Sequence, residues 1–481
     1  MNELYNIIST LNKEEKRNLK IFLNRTNSSE NRKDIALFDF VKKNNPINES
    51  KIFNQLYPKK DKNSFYRLKN RLLNDIHKSL LLLHFNKTSY NTTINFISIS
   101  KLFQKKRRFD IAYNYLQKAE KIAFRNEFFN LLEQIYNEFI KLSHESTEFN
   151  PSQYIEKRKE NRKNLSLLQE IDDVLAVLIY QIKTSQNFLK HNLQFNKELQ
   201  KIISKYAKSD EVKKSTKLRF KTYHAVSRIL LQKNDFKSLE EYLLYTYYEF
   251  LNEGLFNRSN HETKLQMLTY LVNSLFKNNK IKESLNKTEE LKQAMKEYDN
   301  LLYNKYLFYY YNSLVINYQV TDKTKAIDVL LEAKTKKAIQ QSSMFIVFIY
   351  LNLAVFYFDL KNFKAAKTNI VLLKREKDFD SLDEAFQLKI SIAELQIIKE
   401  VEDFELFEYL LKNIKRVFNK LLKKEEYERE NMFLGVLQKM DKKGFQIAYN
   451  NFLNMYPTEE LGSNDIINYN VWLKNKFNKK E

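Results

Sequence analysis

The sequence predicts an all-α protein made of repeated helical hairpins. It has only 4 glycines and 4 prolines in 481 residues, so the turn residues that β-hairpins require are nearly absent. Apolar residues recur at i, i+3, i+4 and i+7 along most of the chain, which is the spacing of amphipathic helices. A small or tightly packed residue also returns about every 42 residues, which indicates a repeated pair of helices.

Residues 1–88 are predicted to form a compact N-terminal helical module or bundle. Asn12 and Glu15 have the spacing of a capping box, which satisfies the first free N–H groups of a helix. An apolar stripe over residues 36–41 is followed by Pro46, and a short helix ends at Pro58. A long helix then carries these apolar residues on one side: Phe65, Leu68, Leu72, Ile76, Leu80 and Leu83.

The clearest repeated unit spans residues 350–373. Its first helix is predicted to carry Tyr350, Leu353, Ala354 and Tyr357, and its second Phe363, Ala366, Ile370 and Leu373. The small residues allow the two helices to approach, and the large ones fill the groove between neighbouring helices. The same pattern fits residues 96–119, so the unit is predicted to recur.

One position of the second helix marks each unit. These markers are Leu239, Ser284, Ala326, Ala366, Phe407 and Ala448. Their successive steps are 45, 42, 40, 41 and 41 residues. An earlier marker, Ala112, precedes Leu239 by 127 residues, or three steps. Two further units are therefore predicted in between, with turns near Asn150–Pro151 and His191–Asn192.

This pattern resembles the tetratricopeptide repeat (TPR), although the step is about 42 residues rather than 34 and most units lack the closing proline. Residues 11–20, 66–73 and 469–473 are similar to segments of a family of uncharacterised bacterial TPR-like helical repeat proteins. The resemblance implies a TPR-like α–α superhelix, or solenoid, over residues 89–425, with C-terminal capping helices over residues 426–481. It implies no known activity.

Catalytic motifs are missing from the sequence. The chain has no cysteine, and its four glycines cannot form a P-loop, a G-x-G-x-x-G loop or a G-x-S-x-G elbow. His77 and His84 could share a helix face and hold a metal, but no third ligand accompanies them. Asp328, Glu332 and Lys334 resemble a nuclease pattern, yet positions i and i+2 of a helix diverge by about 200°. We therefore expect no enzyme, cofactor or metal.

The chain is strongly basic, with a formal net charge of +23. Such an excess favours acidic partners, nucleic acid first. The abundance of Lys, Asn and Ile beside scarce Arg, Ala and Gly equally fits the codon bias of an AT-rich genome. The longest apolar run covers residues 344–358 and is shorter than the roughly 20 residues of a membrane span. Since the first residues also lack a signal-peptide pattern, we expect a cytoplasmic protein without a membrane partner.

The TPR resemblance implies that residues of each first helix line the concave face. The corresponding polar positions are Lys221, His224, Arg228, Asn273 and Lys277, followed by the apolar positions Phe308, Tyr311, Tyr318, Phe348, Leu351 and Phe358. This face would suit a protein or peptide with acidic and hydrophobic residues, so the predicted function is a protein–protein interaction scaffold or adaptor. Alternatively, the aromatic residues only pack between helices. Residues 309–311 are all tyrosines and span too wide an arc for all to be buried.

A second hypothesis concerns the long helix near the N-terminus. Its polar side is predicted to carry Arg67, Asn70, Arg71, Asn74 and Lys78. These residues could contact phosphates or enter a groove of DNA or RNA, or they could simply form a solvated face. In this alternative the protein is a regulator, whose N-terminal module binds nucleic acid and whose repeats sense a peptide.

Overall fold

The computed structural model describes residues 3–26, 32–43, 49–57, 62–145, 149–184, 210–440, 443–457 and 465–477. Within these ranges the regular structure is entirely helical, without a β-strand, which confirms the all-α class. The chain divides into two compact units. The first comprises residues 1–173 and 213–218, and the second comprises residues 174–212 and 219–481. The division at residues 88 and 425 stays a prediction.

The N-terminal helices of the first unit form a separate core. They are α1 (Glu3–Thr10), α2 (Lys13–Thr26), α3 (Lys33–Lys43), α4 (Glu49–Leu56) and α5 (Lys62–Leu83). The predicted capping box begins α2, where Asn12 and Glu15 exchange two 2.9 Å hydrogen bonds between backbone N–H groups and side-chain oxygens. α5 packs against α1 to α4 and buries Phe65, Leu68 and Leu72 in this core.

Four more helices follow, the last of which continues from the first unit into the second. They are α6 (Ser89–Lys105), α7 (Phe109–Arg125), α8 (Phe129–Leu142) and α9 (Pro151–Thr184). α6 packs on α7, and α7 packs on α8. The turn expected near Asn150–Pro151 lies between α8 and α9, whereas the turn expected near His191–Asn192 lies outside the described residues. α9 runs without interruption for 34 residues.

The second unit contains a succession of helix pairs. The first pairs are α10 (Thr216–Gln232, assigned to this unit from residue 219) with α11 (Phe236–Asn252), α12 (His261–Lys277) with α13 (Ile281–Ala294), and α14 (Tyr303–Thr321) with α15 (Lys323–Thr335). Then come α16 (Ser343–Asp359) with α17 (Phe363–Lys374), α18 (Glu384–Val401) with α19 (Phe404–Val417), α20 (Glu428–Lys439) with α21 (Phe445–Met455), and α22 (Tyr469–Phe477). Short helical turns occur at Asp210–Lys213, Glu297–Asn300, Lys337–Gln340, Phe379–Ser381, Asn419–Leu422 and Glu425–Tyr427.

The predicted marker residues share one position in these pairs. Each is the fourth residue of the second helix, from Ala112 in α7 to Ala448 in α21. Leu239, Ser284 and Ala326 are completely buried. This position lies one turn after the start of the second helix. Where its side chain is small, as at Ser284 and Ala326, the first helix can lie close. In the pair α6 and α7, Ser100 Oγ donates a 2.9 Å hydrogen bond to the carbonyl oxygen of Ala112.

Left-handed residues join many neighbouring helices. Two residues before the next helix begins, the following residues have φ between 49° and 63°: Arg107, Glu127, Asn234, Asn279, Lys361 and Glu402. At five of these six turns the next N–H bonds back by five residues, as from Lys280 to Leu275 at 2.9 Å. Glycine usually occupies such a position because it has no Cβ to clash. These six turns instead use residues with side chains, whereas the corresponding turn after α11 has Gly254 with φ 63°.

The C-terminal helices share a core with the preceding pairs. In α18 every residue from 390 to 398 is buried. Trp472 in α22 donates a 2.8 Å hydrogen bond from Nε1 to Glu400 Oε1, and the rings of Phe433 and Tyr469 stack with centroids 4.1 Å apart. The apolar run of residues 344–358 lies within α16. Across the described ranges, no helix combines the length and the apolarity that a bilayer crossing requires.

Candidate ligand-binding site

The five predicted polar positions, here called the polar strip, are Lys221, His224, Arg228, Asn273 and Lys277. The strip begins on α10. Lys221, His224 and Arg228 are spaced by three and four residues, so they share one side of this helix. All three side chains are half-buried. Other residues of the helix, Tyr223 and Val226 among them, enter the apolar core of the second unit. The helix therefore holds three basic side chains at the edge of a core, where they are only partly hydrated.

The charge of Arg228 is not paired within the described part of the chain. Its guanidinium makes no hydrogen bond or ion pair with any residue that the structure describes. By contrast, Arg219 on the same helix binds Glu249 at 3.1 Å and Glu253 at 2.6 Å. Glu262, a carboxylate that acts electrostatically on the site, is bound by Lys305 at 2.6 Å. The positive charge of Arg228 is thus not neutralised by either of these carboxylate groups.

His224 reports this local charge. The pKa of its imidazole is lowered from 6.5 to about 4, chiefly by burial and also by the positive charges of Arg228 and Lys221, while Glu262 acts in the opposite direction. The side chain is therefore neutral at pH 7. A neutral imidazole can donate one hydrogen bond and accept another. Its ring centroid lies 4.9 Å from that of Tyr223.

Tyrosine hydroxyls from four helices surround this position. Tyr223 is 0 % exposed, and its hydroxyl has no hydrogen-bond partner among the residues that the structure describes. Burial raises the pKa of Tyr223 well above its ordinary value, the nearby hydroxyls of Tyr270, Tyr242 and Tyr306 raise it further, and Arg228 lowers it. Arg228 also opposes the rise that burial causes in the pKa of Tyr270. Arg228 thus acts electrostatically on both hydroxyls.

Two of these hydroxyls already have partners. Tyr270 Oη accepts a 3.2 Å hydrogen bond from Gln266 Nε2, which leaves its proton available for donation. Tyr306 Oη donates a longer bond of 3.3 Å to the carbonyl oxygen of Glu262. The local arrangement therefore offers a half-buried cation in Arg228 and a half-buried O–H donor in Tyr270, whereas the Tyr223 hydroxyl is enclosed in the core. It suits an anion better than a cation or an apolar group.

The other predicted polar residues lie farther along α12. Asn273 is half-buried, and Lys277 is exposed with its Nζ 5.8 Å from the ring centroid of Phe236. Lys277 follows Tyr270 by seven residues, so the two share one side of the helix. Of the two basic residues Arg228 and Lys277, the first is partly exposed to solvent and the second largely exposed.

Tyr311 and Tyr318 do not join this group. Tyr311 is 5 % exposed, and its hydroxyl donates a 2.6 Å hydrogen bond to Glu332 Oε1 on α15. Burial and this carboxylate raise the pKa of Tyr311 to about 12. Tyr318 is half-buried against the core. Tyr311 thus joins two packed helices, and the exposed member of the tyrosine run is Tyr309, which is 41 % exposed.

The predicted apolar positions on the first helices lie largely in contacts between helices. Phe308 on α14 stacks on Phe345 of α16 with centroids 4.0 Å apart, and it meets Phe348 edge-on at 5.5 Å. Phe358 contacts Phe363 at 5.4 Å, and Leu351 is buried. Only part of this set is open to solvent, as at Phe348, which is 38 % exposed.

The polar residues proposed for nucleic-acid binding lie on α5. All five are exposed on the side opposite the buried stripe: Arg67, Asn70, Arg71, Asn74 and Lys78. Arg71 Nη2 lies 3.9 Å from Asp34 Oδ2, an oxygen that Arg32 already contacts at 2.6 Å. The exposed Tyr66 lies beside Arg67. This side of α5 is basic and open to solvent.

The remaining candidates form no reactive group. His84 lies just beyond α5, with its Nε2 3.0 Å from Glu15 Oε1, so a carboxylate does accompany it. His77 is exposed on α5. On α15, Glu332 binds Tyr311, while Lys334 lies over the ring of Tyr350 at 4.7 Å. Among the described residues, no cluster of three histidine or carboxylate side chains could hold a metal ion.

Comparisons with known proteins give little further information. No protein-family model matches the chain, and no curated protein matches it. Among solved structures, the chain is similar to the crystal structure of BtubC (BKLC) from P. vanneervenii, with a TM-score of 0.40 and 13 % sequence identity. The match covers 49 % of this chain and 94 % of that one. A likeness at this TM-score carries no argument about function.

Proposed function

We propose that this protein is a non-enzymatic scaffold or adaptor that binds a protein or peptide partner. The binding face would be formed by the first helices of successive hairpins, beginning with α10 and α12. The observation that carries the proposal is the unpaired guanidinium of Arg228, half-buried beside Lys221 and His224. A partner with acidic and hydrophobic residues would supply the missing negative charge.

We further propose that the chain belongs with the uncharacterised bacterial TPR-like proteins and forms a superhelix with a period of about 42 residues. The shared fourth position of Leu239, Ser284, Ala326, Ala366, Phe407 and Ala448 supports this proposal. So do the left-handed residues at corresponding turns. Repeated hairpins in similar orientations would place their first helices side by side, on one extended surface. We expect this protein to act in the cytoplasm.

Charge reversal tests the binding face. We expect the double variant Arg228→Glu/Lys277→Glu to lose a partner that co-purifies with the full chain from native cells. The control Arg375→Glu/Lys377→Glu makes the same change in net charge at two exposed residues that follow α17. It should retain the partner. Circular dichroism should show equal helical content in both variants. Unchanged capture by Arg228→Glu/Lys277→Glu would contradict the proposed face.

The nucleic-acid regulator is a second candidate, favoured by one specific observation. Arg67, Asn70, Arg71, Asn74 and Lys78 are all exposed on one side of α5. If this side contacts phosphates, the full chain should bind duplex DNA or RNA with an affinity that falls steeply as salt rises. Reversing Arg67 and Arg71 should abolish this binding. Absence of binding at low salt would exclude this candidate.

A further inference from the structure

The turn between α6 and α7 carries a run of positive charge. Lys105, Lys106, Arg107 and Arg108 are the one run of four consecutive basic residues in the sequence. Residues 96–119 contain six basic residues and one acidic residue, whereas the whole chain contains 82 and 59. Two of the four are arginines, although only 16 arginines occur among the 481 residues. A codon bias toward lysine therefore does not account for this run.

This charge is open to solvent and mostly unpaired. All four side chains are exposed, and three of them make no ion pair with any residue that the structure describes. The fourth, Arg108, lies 3.3 Å from Asp110, and both side chains of this pair are more than half exposed. An exposed ion pair of this kind contributes little. The turn therefore presents its positive charge outward.

A shorter basic segment of the same unit is neutralised by carboxylates. Residues 157–159, near the start of α9, are three consecutive basic residues. Lys157 binds Glu120 at 2.7 Å, and Lys159 binds Glu156 at 2.8 Å. Both lysines of this segment are thus paired inside the protein, which the lysines of the α6–α7 turn are not.

Arg108 also occupies a position where other helices have a capping side chain. It precedes the first residue of α7, with φ −99° and ψ 74°. Asp235, Asn362 and Asp403 precede other second helices with similar backbone angles, and each side chain accepts a hydrogen bond from an N–H group of its helix. Arginine has no acceptor, and its charge is unfavourable beside the positive end of a helix dipole. The charge at Arg108 therefore destabilises the start of α7.

In α8 and α13 the same position has no capping side chain but makes another contact. Phe128 before α8 meets Tyr90 edge-on with centroids 5.2 Å apart, and Lys280 before α13 binds Glu240 at 2.6 Å. Arg108 has neither an aromatic neighbour nor a buried carboxylate among the described residues. Packing within the protein therefore gives no reason for an arginine at this position.

We propose that the turn formed by residues 105–108 binds the phosphate backbone of nucleic acid. Its residues differ from those of the proposed scaffold face on α10 and α12 and from those of the exposed side of α5, so the inference rests on neither. Each of the four cations would contact a phosphate, and contacts of this kind carry no base-sequence information.

The composition of the turn favours nucleic acid over an acidic protein. Protein interfaces have an apolar core and contain few lysines. The turn itself has no apolar side chain, and Leu102 is the one exposed apolar residue within residues 96–109. Nucleic acid instead presents a regular series of phosphates. A continuous run of exposed cations matches such a series without an apolar core.

Fluorescence anisotropy of the full chain with a short labelled DNA duplex, measured between about 50 and 200 mM salt, tests this inference. The variant Lys105→Gln/Lys106→Gln/Arg107→Gln/Arg108→Gln should reduce the slope of log K against log salt by about 3, because each phosphate contact contributes about 0.9. The control Lys364→Gln/Arg375→Gln/Lys377→Gln/Arg416→Gln removes the same charge from four exposed residues and should reduce the slope by less than about 1. Two duplexes of unrelated sequence should bind equally.

Arg108→Asp separates binding from folding. It supplies the capping side chain that the related helices have, so it should raise the melting temperature. It should also weaken duplex binding by at least about tenfold, because it replaces a phosphate contact with a repulsive charge. Arg108→Lys keeps the charge and should bind the duplex as the wild type does.

Several results would overturn this inference. They are the absence of binding to duplex DNA and single-stranded RNA at low salt, a wild-type slope in the fourfold turn variant, or displacement of the duplex by poly-glutamate at the concentration at which unlabelled DNA displaces it. The last result would assign the turn to an acidic protein partner.

Arg67→Glu/Arg71→Glu distinguishes the turn from the exposed side of α5. We expect this variant to keep the part of the slope that the turn contributes. If it loses all binding while the fourfold turn variant keeps the wild-type slope, α5 is the nucleic-acid surface and the inference is wrong. Loss or retention of a partner in Arg228→Glu/Lys277→Glu bears on the scaffold alone.

Discussion

Ser284 Oγ donates a 2.9 Å hydrogen bond to the carbonyl oxygen of Val272, twelve residues earlier on the facing helix. It also accepts a 2.9 Å hydrogen bond from Asn317 Nδ2, which belongs to the next helix pair. Ser284 and Asn317 are both completely buried. One small side chain at a marker position thus holds together α12, α13 and α14.

Enlarging this side chain should separate the helices. Ser284→Leu forces extra volume into a packed contact, which costs about 1–3 kcal/mol, and it removes the acceptor for the buried Asn317 amide, which costs a similar amount. Ser284→Ala removes only the hydroxyl and should cost less. Urea unfolding followed by circular dichroism measures both changes. Equal stability of Ser284→Leu and the wild type would show that the helices do not require a small residue here.

The left-handed turn at Lys361 predicts a stabilising glycine. A residue with a Cβ pays about 1–2 kcal/mol in this conformation, so Lys361→Gly should raise the free energy of unfolding by about 1 kcal/mol after the added chain entropy is counted. Asn279→Gly should gain less, because asparagine tolerates this conformation. Lys364→Gly, inside α17, serves as the opposite control and should lose about 1 kcal/mol. Loss of stability in Lys361→Gly would contradict the turn geometry.

The hydrogen bond from Tyr311 to Glu332 predicts a structural role for this tyrosine. Tyr311→Phe should lower the free energy of unfolding by about 1–3 kcal/mol, because it removes a bond to a charged group. It should leave capture of the partner unchanged. Tyr309→Phe, at an exposed ring of the same helix, should change stability little. If Tyr311→Phe lost partner binding without losing stability, Tyr311 would have to be counted as part of the binding face.

The lowered pKa of His224 predicts loss of stability in mild acid. In the unfolded chain the imidazole has a pKa of about 6.5, whereas in the folded protein it is about 4. The unfolded state therefore binds its proton first as the pH falls. This contribution to stability is complete above pH 6.5 and is lost between pH 6.5 and 4.

Unfolding experiments at pH 7 and pH 5 should show a smaller loss in His224→Gln than in the wild type. The pKa of His261 is also lowered, so part of the pH dependence of stability should remain in His224→Gln. The groups that set the pKa of His224 besides burial are Arg228, Lys221 and Glu262. Proton NMR titration of the histidine rings would measure this pKa directly. An identical pH dependence in His224→Gln and the wild type would contradict the buried, neutral imidazole.

The helix pairs were predictable because their signal is local. A buried residue, in most pairs a small one, occupies the fourth position of each second helix, so residues such as Ser284 and Ala366 mark the start of that helix in the sequence itself. The exposed side of α5 was predictable for the same reason, since Arg67 and Lys78 alternate with a clear apolar stripe. The left-handed turns were not predictable, because Lys361 and Glu402 carry no local preference for that conformation.

The candidate site was predictable only in part. The positions of Lys221, His224 and Arg228 follow from helical spacing together with the TPR resemblance. The missing partner of Arg228 does not, because sequence cannot show that Glu262 is bound by Lys305 instead. Nor could sequence assign the burial of Tyr311 within three consecutive tyrosines, since that depends on the facing Glu332. The unpaired hydroxyl of Tyr223 was missed because a tyrosine in an apolar stripe carries no sign of its hydrogen bonding.

The most direct test places a photo-crosslinking amino acid at Lys277 of the full chain in native cells, with Lys377 as the control position. Both residues are exposed lysines, and Lys277 belongs to the proposed face. We expect Lys277 to give one dominant crosslinked partner that disappears when Arg228→Glu is added, and Lys377 to give none. The same crosslinked species at both positions, or no partner at Lys277, would contradict the proposed binding face.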